Sequence, residues 1–241
     1  MPWRERVRPD RAVTLSAIVP ALNEGAGIEG ALRSLAPVRG RGGEVILVDG
    51  GSTDDTLARA RPLVDRVLVA ARGRALQMNA GATASRGDVL WFVHADSVVD
   101  AAAVDDLVRS YAQASTVWSR FGVRLSGRRA LFRTVAFLMN RRSCLTGIAT
   151  GDQGIAVRRS AFEAAGGFPE LPLMEDIALS RRLRAHARPL CLPVRITTSS
   201  RRWEERGAWR TIWLMWRLRL AYWRGVDPAA LAERYRGGAH G

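Results

Sequence analysis

Three carboxylates in this chain stand where a reacting group could reach them. Asp49 closes the apolar run EVILVD, Asp96 closes VLWFVHAD, and Asp176 stands in LMEDIALSRRL. A carboxylate that emerges at the end of a strand offers hard oxygen ligands for Mg²⁺ or Mn²⁺ beside a diphosphate. Asp96 is the leading metal-ligand candidate, with capping of the next helix as the alternative. His94, two residues earlier, would share its face of an extended strand and supply a second contact. A carboxylate at the start of a helix, after a flexible loop, can reach a hydroxyl and accept its proton. Asp176 is the leading general-base candidate; helix capping with Glu175 as its partner is the alternative.

The elements that must position these groups are legible around them. Val45, Ile46, Leu47 and Val48 are apolar without alternation, as in a strand covered on both faces, and GGSTDDT follows as a turn. Gly50 and Gly51 let the backbone come close to a ligand, and Ser52 or Thr53 can cap a helix over 53–62 that Asp54 and Asp55 favour electrostatically. Before it, LSAIVPALNE runs into Asn23 and Glu24 and then into a helix through Ile28, Leu32 and Leu35. A strand at 66–70, a helix at 73–84 and a strand at 89–93 continue the alternation. The pattern predicts an α/β protein with a mostly parallel sheet wrapped by helices, whose ligands gather at the carboxyl edge of the strands. Beyond residue 100 come a helix near 101–113, a strand within TVWSRFGVRL, an arginine-rich helix over 127–143, and a loop and strand in TGDQGIAVRRSAF. One domain over 1–241 is expected, with a nucleotide-binding half at 12–98, an acceptor-side half at 99–200 and a helical extension at 201–241.

Composition narrows the class. The 241 residues are 47% hydrophobic, enough for a sizeable core, and the apolar runs are far shorter than the roughly 18 residues of a bilayer span. MPWRERVRPDR lacks the apolar stretch of a secretory signal, so a cytoplasmic location is the default. Two cysteines, Cys144 and Cys191, make no disulfide framework and are expected to be reduced and buried. The 37 basic residues are all arginine and the net charge is +14, which should attract nucleotide diphosphates, nucleic acid or acidic lipid head groups. The tail over 207–225 sets Trp209, Trp213, Trp216, Leu220 and Trp223 at helical spacing among arginines. The stripe is expected to pack on the rest of the protein; the alternative is peripheral contact with the inner face of a membrane, which would suit a lipid acceptor. No nucleic-acid-binding motif is present, so no nucleic-acid partner is expected.

Taken in order, IVPALNE, ILVDGGSTDDT, RALQMNAGA, FVHADS, GGFPE and MEDIALSRRL resemble the family 2 glycosyltransferases, which have the GT-A fold; the resemblance covers roughly residues 14 to 186. It implies an inverting transferase that moves a sugar from a nucleotide diphosphate, a UDP-sugar above all, to a hydroxyl or carboxyl acceptor with Mg²⁺ or Mn²⁺. It places Pro20, Leu22 and Glu24 around the base and Asp49 on the uracil ring, with Gly51 in the adjoining turn. Arg72, Asn79 and Gly81 would frame the donor. His94, Ala95 and Asp96 would occupy the metal-binding DXD motif, with Asp96 as metal ligand, and Asp176 would be the base. His94 departs from the first aspartate of that motif. HAD together with TGDQG is similar to a small bacterial group of radical-SAM or selenodomain-associated transferases. There Asp152 and Gln153, beside Glu175, would meet donor sugar or acceptor, or else shape a turn. SSRRW is similar to the QxxRW motif of processive synthases and makes Arg202 and Trp203 diphosphate or acceptor candidates. The rival reading is a non-catalytic basic module for membrane or nucleic acid. A dinucleotide oxidoreductase is disfavoured because ALNEGAG lacks GxGxxG.

Overall fold

The computed structural model describes residues 13–127, 129–201, 204 and 207–237. Four parallel strands form its first half: β1 (Leu15–Ala21), β2 (Glu44–Asp49), β3 (Arg66–Val69) and β4 (Val89–Phe92). They lie in the order β3-β2-β1-β4 and share one carboxyl edge. Between them run α1 (Ile28–Ser34), α2 (Ala36–Gly40), α3 (Thr56–Ala60) and α4 (Arg74–Ala84). The unbroken apolar character of β1 and β2 has a direct cause. Val45 and Leu47 pack on one face of the sheet with Leu32 and Leu107, while Ile46 and Val48 pack on the other with Met78 and Leu179. Helix α4 approaches the sheet closely enough that a Cβ on Gly81 would overlap the Ile18 side chain.

The second half extends the sheet beyond β4. β5 (Ser97–Val98) and α5 (Ala101–Tyr111), capped by the Asp100 side chain, lead to β6 (Trp118–Leu125). Then follow α6 (Ala130–Thr146), β7 (Ala156–Arg158), α7 (Arg159–Ala164), α8 (Glu175–Arg184), β8 (Leu190–Thr198), α9 (Ala208–Trp223) and α10 (Pro228–Gly237). β7 joins β4 and β6 antiparallel, β8 lies parallel to β6, and β5 closes the order antiparallel to β8. The expected α/β sheet is present, with the antiparallel strands gathered in the second half.

Four expectations need correction. The turn after β2 is longer than expected: α3 starts at Thr56 with Asp55 as its N-cap residue, and the Ser52 and Thr53 hydroxyls serve a neighbouring loop instead of capping it. β4 ends at Phe92, so His94 and Asp96 sit on a turn closed by Ser97 N–H donating to the His94 carbonyl, not on one strand face. The arginine-rich helix is displaced toward the C-terminus, at 130–146. Finally, Cys144 of α6 and Cys191 of β8 are only partly buried and form a disulfide, with Cα atoms 6.2 Å apart. Spacing along the chain could not reveal that β8 returns beside β6, directly under α6.

Candidate active site

The carboxyl edge of the parallel strands is held by a clasp between two loops. Asn23, in the left-handed region at φ 53°, accepts at Oδ1 from Thr53 N–H at 2.9 Å, and its own N–H donates to Ser52 Oγ at 2.9 Å. Glu24 N–H donates to Thr56 Oγ1 and Gly25 N–H to Asp54 Oδ2. Asp49 is 2% exposed and accepts from Gly51 N–H, Ser52 N–H and Ser52 Oγ. A carboxylate has about four acceptor sites, so most of this one is engaged in shaping its own turn. Pro20 is buried in β1, level with Val48, while Leu22 and Glu24 are half-buried just past the strand end. The Glu24 carboxylate lies 3.8 Å from Arg201.

Behind this clasp, Gln77 of α4 is 4% exposed and donates through Nε2 to the carbonyls of Ala21 and Val48, both at 2.8 Å. It ties the ends of β1 and β2 together. Sequence reading missed it, although a polar residue facing the sheet from α4 was its signal. Asn79 exchanges two hydrogen bonds with the backbone of Phe168, at 2.8 and 2.9 Å, and so pins the GGFP loop. Gly81 is turned into the sheet, where the lack of a side chain lets α4 lie close to Ile18 and Val48. Arg72 is exposed, and it is Arg74 that reaches the pocket, where its Nη1 lies 3.1 Å from Glu175.

The pocket itself is lined by Arg74, Met78, Phe92, His94, Gly151, Phe168, Glu175 and Asp176. Its floor is a 3₁₀ turn over Gly151–Gln153. Gly151 N–H donates to Asp176 Oδ2 at 2.8 Å, which aims the carboxylate. His94 Nδ1 lies 3.3 Å from Asp152, while His94 Nε2 is buried without a partner. A Cβ on Gly151 would overlap that nitrogen, so a larger residue there would have to displace the imidazole. Gln153 is wholly buried: its Nε2 donates to Ser143 Oγ at 2.8 Å and its Oε1 accepts from Thr150 N–H. These bonds close the turn, one of the two roles expected for it. Ala95 is packed in the core. Arg202 and Trp203 lie outside the described residues.

Glu175 and Asp176 begin α8, with Met174 before them in the left-handed region at φ 70°. Burial of Glu175, and then the charge of Asp176, raise the Glu175 pKa above the ordinary carboxylate value, and Arg74 opposes this. Arg74 is held protonated: desolvation lowers its pKa, but Glu175, Asp176 and Asp152 together outweigh that loss.

Asp96 is half-buried, and its Oδ1 has two long contacts at 3.5 Å, to Ser97 Oγ and Thr198 Oγ1. Such a loosely engaged carboxylate fits a divalent cation. Among the described residues no three His, Cys, Asp or Glu side chains converge to form a protein cage. The donor set therefore fits a cation held by one carboxylate and otherwise by substrate phosphates, the usual arrangement for Mg²⁺.

Comparison with known proteins agrees with this architecture. Glucosyl-3-phosphoglycerate synthase from Mycobacterium tuberculosis is 35% identical over 97 residues, which cover 35% of this chain and 29% of that protein. Among solved structures, S. aureus TarS 1–349 in complex with UDP superposes with a TM-score of 0.64 at 19% identity, covering 77% of this chain and 60% of that one. The mannosyltransferase PcManGT from Pyrobaculum calidifontis, in complex with GDP-Man and Mn²⁺, gives 0.63 at 22% identity, covering 97% and 68%. This chain thus matches less than two thirds of the length of the synthase and of TarS. The two structural likenesses establish the GT-A fold, an α/β sheet flanked by helices with the pocket at its carboxyl edge. The profile described as glycosyl transferase family 2 matches residues 16–165, more than half of the sequence, and the chain belongs to that family.

Proposed function

We propose that this glycosyltransferase moves a sugar from a UDP-sugar to an acceptor hydroxyl or carboxyl group with inversion, using Asp176 as general base. One observation carries the reading: the Asp176 carboxylate opens into the pocket at the start of α8, aimed by the Gly151 N–H. A carboxylate so fixed is pre-oriented for proton abstraction. In the reaction, Asp176 takes the proton of the acceptor hydroxyl while the acceptor oxygen bonds to the anomeric carbon. The bond from that carbon to the diphosphate oxygen breaks on the opposite side, and the electron pair leaves with the nucleotide.

The half over 12–98 holds the donor and the half over 99–200 the acceptor. Pro20, Leu22, Glu24 and Asp49 border the base, with Gly51 in the turn beside it, and Arg72 is free to meet phosphate from the surface. Arg74 positions Glu175, and Asp152 with His94 borders the donor sugar. Asp96 would hold Mg²⁺ or Mn²⁺ with the phosphate oxygens, and the cation would neutralise charge on the departing diphosphate. The UDP in the TarS complex supports the nucleotide; the Mn²⁺ and GDP-Man in the mannosyltransferase complex support the cation and a nucleotide-sugar donor. The acceptor is proposed to be a lipid, because α9 turns its tryptophans outward: Trp209, Trp213, Trp216 and Trp223 are 64 to 73% exposed. A cytoplasmic location on the inner membrane face suits this reading; no helix among the described residues is long and apolar enough to cross a membrane.

Calorimetric titration with UDP, with Mn²⁺ and again with EDTA, tests the donor assignment. Metal-dependent UDP binding that Asp96→Ala weakens is the expected result; equal binding of UDP by Asp96→Ala and wild type would remove Asp96 from the metal site.

A further inference from the structure

Outside the residues that line the pocket, α6 and α9 each carry an arginine with a buried, unpartnered guanidinium nitrogen. α9 packs Ile212 against Phe132 and Val135 of α6 and Leu218 against Ile148 just past its end, and the charges of Arg219 on α9 and Arg120 on β6 both disfavour the charge of Arg142 on α6. Arg120 is anchored: its guanidinium donates to the carbonyls of Phe121 and Asn140, at 3.0 and 2.8 Å. Arg142 is not. Its Nε and Nη2 are buried without a hydrogen-bond partner, as are Nε of Arg219 and Nε of Arg120. Among the described residues no carboxylate lies within ion-pair distance of either side chain. Burying cationic donors unpaired is costly, and proteins accept that cost where a ligand supplies the missing charge. Burial, followed by Arg219, lowers the Arg142 pKa to about 10, so the group stays protonated at neutral pH.

Among the described residues, the Asp176 carboxylate favours the Arg142 charge, although the two form no ion pair. Leu218, the neighbour of Arg219, packs against Met174 and Ile177 on either side of Asp176 in the chain, which brings this part of α9 to the start of α8. The two arginines also belong to the elements of the acceptor side, and not to the loops that clasp the nucleotide edge. We infer that Arg142 and Arg219 form a subsite for a phosphate-class anion on the acceptor, which anchors the molecule while its reacting hydroxyl faces Asp176. The inference rests on Asp176 being the base and deepens that reading. Arg219 flanks the outward tryptophan stripe of α9, so a phospholipid head group and a free phosphomonoester both satisfy the chemistry.

The test is binding to the full chain saturated with UDP and Mg²⁺, using glycerol 3-phosphate as the soluble probe and dihexanoyl phosphatidic acid, below its micellar concentration, as the lipid probe. Wild-type binding that falls at least about tenfold in Arg142→Gln and in Arg219→Gln, with UDP affinity unchanged, is the expected result. Tighter binding of the lipid identifies a head group as the source; equal binding identifies a soluble acceptor. Two results overturn the inference: failure of both probes to bind wild type or to respond to the substitutions, and displacement of the probes by UDP, which would assign the arginines to the donor. UDP affinity is read separately, so a failed donor assignment is not mistaken for a failed anion subsite. Thermal melting guards against a purely structural role. Arg142→Gln should melt at or above the wild-type temperature, because it removes a buried unpaired charge; clear destabilisation together with loss of probe binding would make Arg142 a structural residue and overturn the subsite.

Discussion

At the scale of single residues, the proposed chemistry rests on a carboxylate pair with divided work. Glu175 is buried and paired with Arg74, while Asp176 opens into the pocket and is aimed by a backbone N–H. Asp176→Asn keeps the shape and removes the base; it should lower turnover about 10²- to 10⁴-fold while leaving UDP affinity within about twofold, read by steady-state transfer and calorimetry. Glu175 governs pH behaviour instead. Because its folded-state pKa is raised, its contribution to stability is present below the ordinary Glu value and is lost as pH rises through the raised value. Glu175→Gln lacks that titration, so the melting temperature of wild type relative to Glu175→Gln should fall as pH rises through this window. A parallel pair of melting curves from pH 4 upward would contradict it. Asp49, Asp96 and Asp176 were legible from their positions after apolar runs or at a helix start. Arg74 was not distinguishable from Arg72 in sequence, since only the start of α4 at residue 74 decides which of them turns toward α8.

At the scale of elements, the strands and most helices were legible because each face of the sheet is covered, which forces apolar residues at successive positions of β1, β2 and β4. What sequence could not give was the pairing of the second half, where β7 runs against β4 and β8 returns beside β6. Those pairings create the Cys144–Cys191 bridge and place the GGFP loop under Asn79. Asn79→Ala would leave the N–H and carbonyl of Phe168 without their partners. A loss of about 1–3 kcal/mol in urea unfolding is expected. Because the released loop borders the pocket, the same variant should also raise the Michaelis constant for the donor. Unchanged stability would show that the loop holds its place without Asn79.

For the whole molecule, the net charge of +14 and the outward face of α9 point the same way. The apolar residues of α9 divide into two stripes. Leu214, Leu218 and Ala221 pack toward Met174 and Ile177, close to the proposed base, and the tryptophans occupy the opposite side. Sequence periodicity showed an amphipathic helix but could not tell which stripe faced inward, since both are apolar. Vesicles of anionic lipid should blue-shift the tryptophan emission of wild type. Trp213→Ala with Trp216→Ala should weaken that binding about tenfold or more, and 0.5 M salt should weaken both. Equal binding by the double variant would remove α9 from the contact.

The contact among His94, Gly151 and Asp152 joins segments far apart in the chain, and it bears on which sequences are open to descendants of this protein. A side chain at 151 collides with the imidazole, while an aspartate at 94 would face Asp152, charge against charge. His94 and the Gly151–Asp152 pair therefore constrain one another, and a change at one is best tolerated with a compensating change at the other.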